Sequence, residues 1–472
     1  MRLRLASLAV GVIGVVAAAP FASPFLSRYA PRTGLHRAEL VSLVSRYASR
    51  IGFDPAGIAS FVSPNPSRYA WIDGLRRYSP SIRHEDAIRG GRPVGVSQGS
   101  APLVIAAPTT PKRSEAEVRD LDIQFYEARA RRDPTGAMDL ARVSQLYLAR
   151  SRETGNYDDV LSAEHAARRS LRNRISRNAL AAQVLASSLL SEHRFAEALG
   201  MARSLESLDP DRLSYRAMAG EIAVELGRYD EARATFDSLK HDAGSLSVAP
   251  RLARWEEIEG HPEQARVLLR HAIAGAQLRP DLPAEQRAWF WLRLGDLDQR
   301  MGMPDSAARA YAMGLQLHPG DYRIFAARAR LDASLHQWRA AIDDGNRAIA
   351  AAPFDPTTFG TISDAYLALG DTAQAKEFEH GMEIAVSHQP GAYHRAWSLF
   401  LLDHHRRVAE VLRKARIELK TRRDIYGYDV LAWALYHNGQ YAEARRAMTL
   451  ALSQGTKDPL LLDHARMIQA AQ

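Results

Sequence analysis

The chain has 472 residues, 46% apolar and 25% charged, a composition that fits a folded protein and argues against both a disordered chain and a polytopic membrane protein. Its net charge of +8 is local: residues 1–113 hold 15 Lys and Arg against 5 Asp and Glu, and residues 114–472 hold 47 against 49. The bulk of the chain therefore lacks the basic excess that a nucleic-acid surface needs, and the absence of cysteine excludes disulfides, thiolate metal sites and cysteine nucleophiles.

In chain order, Arg2 and Arg4 precede an apolar run from Leu5 to Ala19, the charge order of a secretory leader. Ala17-Ala18-Ala19 offers small residues for cleavage, although Pro20 follows directly, and an uncleaved Leu5–Leu26 has about the 20 residues that a bilayer core requires. Residues 1–26 are thus expected to be a signal peptide or an N-terminal membrane anchor. The matching address is exported, periplasmic or anchored to the inner membrane facing the periplasm, with a cytoplasmic location as the alternative. Residues 27–113 read as a basic, largely irregular spacer, broken by Ser63-Pro64-Asn65-Pro66, Arg89-Gly90-Gly91-Arg92-Pro93 and Ala107-Pro108-Thr109-Thr110-Pro111. Gly90, Gly91 and Gly95 form no phosphate loop, since no Lys-Ser/Thr follows them.

From about Val118 the pattern turns helical, and one alanine recurs: Ala198, Ala232, Ala265, Ala307, Ala341, Ala375, Ala409 and Ala444, at spacings of 34, 33, 42, 34, 34, 34 and 35. Twelve residues earlier stand Ala186, Gly220, Ala253, Gly295, Ala329, Ser363, Trp397 and Ala432, where close approach of two helices demands a small side chain; Trp397 is the misfit and predicts a register shift of one or a local splay. Five residues before the alanine, a helix-to-helix turn wants left-handed backbone, and Gly227, Gly260, Gly302, Gly370 and Gly439 supply it. His193, His336 and His404 hold the same place in the other three units, and histidine is among the side chains enriched in that conformation. The repeat therefore assigns these histidines to turns instead of to a metal. Aromatic residues at Phe195, Tyr229, Trp338 and Tyr441, or at Phe236 and Tyr311, are expected to fill the spaces between units.

This period and these positions resemble the tetratricopeptide repeat, most completely in Trp291, Leu294, Gly295, Gly302, Ala307, Tyr311 and Pro319. The stretch from Ala432 to Ile468 is similar to the end of a group of bacterial, often exported, proteins of this kind. The resemblance implies an all-α, right-handed superhelical solenoid of helix-turn-helix repeats. Its expected organisation is N-terminal helices with a degenerate repeat at 114–178, about eight repeats at 179–458 and a capping helix at 459–472. His464 is expected to pack or cap in that last helix.

First helices line the concave face of such a solenoid, and the position eleven before each alanine should face it: Ser187, Glu221, Arg254, Asp296, Arg330, Asp364, Ser398 and Trp433. Their alternating signs suit a mixed-charge protein or peptide partner better than a polyanion, with ion pairs such as Arg254 to Glu221 or Asp296 as the alternative use of the same residues. A clamp for acidic C-terminal tails is argued down, because no unit has asparagine there and the chain has only six lysines. No Gly-x-Ser-x-Gly elbow or His-Glu-x-x-His pattern occurs, so no catalytic residue, cofactor or metal is assigned. The expected role is a non-enzymatic interaction scaffold of the bacterial cell envelope; the alternatives are a cytosolic adaptor or regulator and, more remotely, an enzyme with its chemistry in the groove.

Overall fold

A computed structural model describes residues 113–389 and 395–471; the expected leader at 1–26 and all but the last residue of the expected spacer lie outside the described residues. Among the described residues there are twenty α-helices, one short 3-10 turn and no strand. The first three helices are α1 (Glu115–Arg132), α2 (Met138–Thr154) and α3 (Tyr157–Asn173). Antiparallel pairs follow: α4 (Ala179–Ser191) with α5 (Phe195–Leu208), α6 (Leu213–Glu225) with α7 (Tyr229–Leu239), α8 (Ala249–Ile258) with α9 (Pro262–Gln277), and α10 (Ala284–Arg300) with α11 (Pro304–Leu317). The next are α12 (Tyr322–Ser334) with α13 (Trp338–Ala351), and α14 (Pro356–Ala368) with α15 (Thr372–His388). Last come α16 (Arg395–Asp403) with α17 (Val408–Glu418), α18 (Ile425–His437) with α19 (Tyr441–Ala451), and α20 (Pro459–Ala470), which packs on α18 and α19.

Local chemistry sets the helix ends. Ser114 and Glu117 form a reciprocal capping box at α1, and Asn156, Asp321, Asp355, Asp371, Asp424 and Asp458 cap α3, α12, α14, α15, α18 and α20 with side-chain oxygens. Between the two helices of a pair, the left-handed residue falls at the expected place in seven of the eight units: His193 and His336 at φ 59°, and Gly227, Gly260, Gly302, Gly370 and Gly439 at φ 71–83°. The rings of the two turn histidines sit against the aromatic residue two positions on, His193 on Phe195 at 5.2 Å and His336 on Trp338 at 5.1 Å.

The repeating alanines are the contact points between paired helices. Ala198, Ala232, Ala265, Ala307, Ala341 and Ala444 are completely buried and Ala375 nearly so. At Ser363 the small residue of the first helix bonds directly across the contact, its hydroxyl donating to the Ala375 carbonyl at 2.9 Å. At Gly295 a Cβ would run into the ring of Tyr311. Any enlargement at these points overpacks the pair, at a cost of about 1–3 kcal/mol.

One unit departs from the expected register. Ala409 is exposed and His404 is not the left-handed residue; His405 (φ 53°) and Arg407 (φ 47°) are. The amides of His405 and Arg406 close the end of α16 on the carbonyls of Leu402 and Leu401 at 2.9 and 2.6 Å. Arg407 is an extra turn residue, so α17 begins later and buries Val411, Leu412 and Ala415. Counting back from His405 as in the sister units, Ser398 takes the small-residue place, which explains Trp397: it lies one position off the contact and stacks on Phe400 at 5.9 Å.

The solenoid also comes round on itself. Arg422, after α17, donates to the carbonyl and carboxylate of Glu225 on α6 at 3.1 and 3.0 Å, Arg423 N–H to Leu226 O at 3.3 Å, and Ile425 N–H to the Tyr229 hydroxyl at 2.7 Å. Six helix pairs, α6/α7 to α16/α17, therefore make one turn. The contact repeats along the seam: Gly155 lies against Ala352 and Tyr322, and Gly260 against the Gly455 carbonyl. One hydrophobic core accordingly unites Phe236, Trp255 and Ile258 with Phe400, Ile425, Trp433 and Ile468, residues that a purely nearest-neighbour stack would keep apart.

Candidate functional site

Of the eight first-helix residues expected to face the groove, six are not serine, and five of those six are charged and already engaged with neighbouring side chains. Glu221 on α6 accepts from Arg251 Nε on α8 at 2.7 Å. Asp296 on α10 accepts from the Tyr311 hydroxyl at 3.0 Å and lies 3.6 Å from Arg330 on α12. Asp364 on α14 is exposed and meets His404 Nε2 at 2.8 Å. Arg254 on α8 pairs with neither Glu221 nor Asp296; it sits 3.5 Å from Glu257 of its own helix and over the ring of Tyr426, on α18, at 5.0 Å. Trp433, the sixth, is 4% exposed: its Nε1 donates to Asp403 at 2.8 Å and its ring stacks on His464 at 4.2 Å and Tyr436 at 4.9 Å. Trp433 is a packing residue of the C-terminal pair and not part of a groove surface. His464 is buried beside it, Nδ1 at 2.6 Å from Asp429, which also accepts from Arg395 at 2.8 Å. Of the two serines at the same position, Ser187 is half-buried on α4 and Ser398 is the buried small residue of the shifted unit.

The densest part of this face escaped the sequence reading. Glu257 is buried and ringed by three guanidinium groups, Arg254 at 3.5 Å, Arg293 at 3.3 Å and Arg300 at 2.5 Å. Burial pushes its carboxyl up, but the three arginines outweigh that and hold it below the ordinary 4.5. The arginines stay a quarter or so exposed, with side chains at 28, 22 and 29%. Three guanidinium groups bring about fifteen N–H donors and one carboxylate offers about four acceptor sites, so donors are in excess at this point. Glu225, raised by burial against the pull of Arg422 and Arg254, closes the far side. A second group, Arg152, Arg251 and Arg323 with Glu221 and Glu285, continues the face toward α2 and α12. The available signal was helical spacing: Arg293, Asp296 and Arg300 share one stripe of α10 at i, i+3 and i+7, wider than the single position per unit that the repeat singles out.

Among the described residues, one group has three metal-capable side chains close together: Glu256, Glu259 and His261, with ligand atoms within 4.8 Å of one another. Glu259 is held there by Arg233, so this group is accounted for by an ion pair and a turn. No described helix is long and apolar enough to cross a membrane.

A family profile described as tetratricopeptide repeat matches residues 189–247, from the end of α4 through α7. No curated protein matches the chain. Among solved structures it is similar to the APC/C hetero-tetramer Cut9-Hcn1, at 14% identity and a TM-score of 0.44, over 75% of this chain; it spans only 59% of that chain's length. It is also similar to MamA of MSR-1 (21% identity, TM-score 0.29, 38% of this chain and 98% of that one) and of AMB-1 (20%, 0.29, 37% and 99%).

Proposed function

We propose that this chain, a solenoid of tetratricopeptide-type repeats, is a non-enzymatic scaffold of the bacterial cell envelope that holds an extended segment of a partner protein against its first-helix face. The observation that carries this reading is the cluster of Arg254, Arg293 and Arg300 around the buried Glu257. Its surplus donors suit the carbonyls and carboxylates of a peptide backbone and its acidic side chains, while the acidic residues along the same face, Glu221, Asp296 and Asp364, favour a segment of mixed charge. A long polyanion would meet those carboxylates as like charges. The envelope address rests on Arg2 and Arg4 ahead of the apolar run.

The test is affinity capture from separated envelope and cytosolic fractions of the native cell, with wild type and with an Arg254→Gln, Arg293→Gln, Arg300→Gln variant shown by circular dichroism to be folded. A partner captured from the envelope fraction by wild type and lost by the variant is expected. The same partner on both proteins, or partners from the cytosol alone, would overturn the reading.

A further inference from the structure

The spacing of 42 residues between Ala265 and Ala307 stands apart from the others, and its structural counterpart is a longer α9, a six-residue loop and a longer α10. The α8/α9 unit also has no aromatic residue at either filling position: Pro262 and Leu269 stand where other units have Tyr229 and Phe236. A cleft of about 360 Å³ opens here between the second helices α9 and α11, with α10 as its floor. It is near the low end of the range of ligand sites.

Its lining divides by chemistry. Ile273, Ala274, Trp291, Leu294, Ala310 and Met313 make the apolar part, and Met313 is 37% exposed. Arg266, Arg270 and Arg309 stand around them. Arg266 is spent on buried Asp298, at 2.6 and 3.4 Å. Arg270 is exposed and has no hydrogen-bond or ion-pair partner among the described residues, and Arg309 donates only to Ser306 Oγ, at 3.0 Å. Two cations without a carboxylate thus face an apolar pocket open to solvent.

We infer that this cleft is a second docking site, for a protein segment that inserts one large apolar side chain and places carboxylates on Arg270 and Arg309. The occupant follows from the charges: the two arginines without a carboxylate ask for anions, and the half-buried Trp291 with the exposed Met313 asks for a hydrocarbon or aromatic body beside them. The cleft opens between second helices over the Trp291, Leu294 and Asp298 side of α10, while Arg293, Asp296 and Arg300 fall on the other side of that helix, so one molecule can hold two chains at once.

Fluorescence polarisation on the purified full chain tests this, with a labelled synthetic peptide carrying one phenylalanine flanked on each side by glutamates. The expected result is saturable binding that weakens about tenfold or more when the glutamates become glutamines, when the phenylalanine becomes alanine, or in the Arg270→Gln, Arg309→Gln variant. Both substitutions are on the exposed surface, and unchanged melting confirms a folded variant. The variant at Arg254, Arg293 and Arg300 should bind the peptide as wild type does, which separates this site from the concave one. No binding of the glutamate peptide, equal binding of its glutamine version, equal binding by the Arg270/Arg309 variant, or loss confined to the Arg254/Arg293/Arg300 variant would overturn the proposal.

Discussion

A single histidine shows how a repeat constrains chemistry. His193 and His336 occupy left-handed backbone at φ 59°, a conformation that costs a residue with a Cβ about 1–2 kcal/mol relative to right-handed backbone. Each recovers part of that through a ring contact with Phe195 or Trp338. Replacing either with glycine removes the backbone cost and the ring contact together, so His193→Gly and His336→Gly should be neutral or stabilising by up to about 1 kcal/mol, whereas valine at either place should destabilise by more than that. Thermal melts of the four variants check this, and a chelator should shift none of them; a chelator sensitivity present in the wild type and lost in the glycine variants would mean that these histidines bind metal. His404 behaves otherwise. It lies outside the left-handed turn and bonds Asp364, so His404→Gly removes an exposed polar contact without relieving backbone strain. The sequence identified the type of turn correctly and misplaced it by one residue, because His404 and His405 are adjacent and the spacing to Ala409 is the ordinary 34.

At the scale of the helix pair, small residues and turns were legible because each repeat tests them anew against the same steric demand. The α16/α17 unit was not, since one added turn residue moves the second helix without altering composition, and Ala409 still falls where an alanine is expected. Contacts between helix pairs six apart had no sequence signature at all: the pattern of one unit says nothing about which distant unit lies beneath it. Gly227 and Gly302 separate the two effects. Their φ angles are 71° and 72°, so alanine pays the same backbone cost at both. Around Gly302 there is open space, whereas a Cβ on Gly227 would run into the Arg423 carbonyl and the Asp424 amide. Gly302→Ala should therefore cost about 1–2 kcal/mol and Gly227→Ala clearly more, with loss of the Arg422 and Arg423 contacts to α6. Equal losses in denaturant melts would mean that the turns of the solenoid do not touch.

For the whole molecule, closure of the solenoid after six helix pairs decides what its inner face can do. Tyr426 on α18 comes to lie over Arg254 on α8, and Arg395 meets the same ring at 4.8 Å, so first helices far apart in sequence build one charged lining. Single-position reading per repeat singled out Glu221, Arg254, Asp296, Arg330 and Asp364, but neither Glu257 with its three arginines nor the burial of Trp433, because both depend on neighbours in other helices. The central claim is that a partner lies along this lining. A photoreactive residue in place of Arg330, at the first-helix face, and another in place of Lys376, exposed on second helix α15, test it in the native cell. A crosslinked partner from position 330 and none from 376 is the predicted result; crosslinking from 376 with none from 330 would contradict the account.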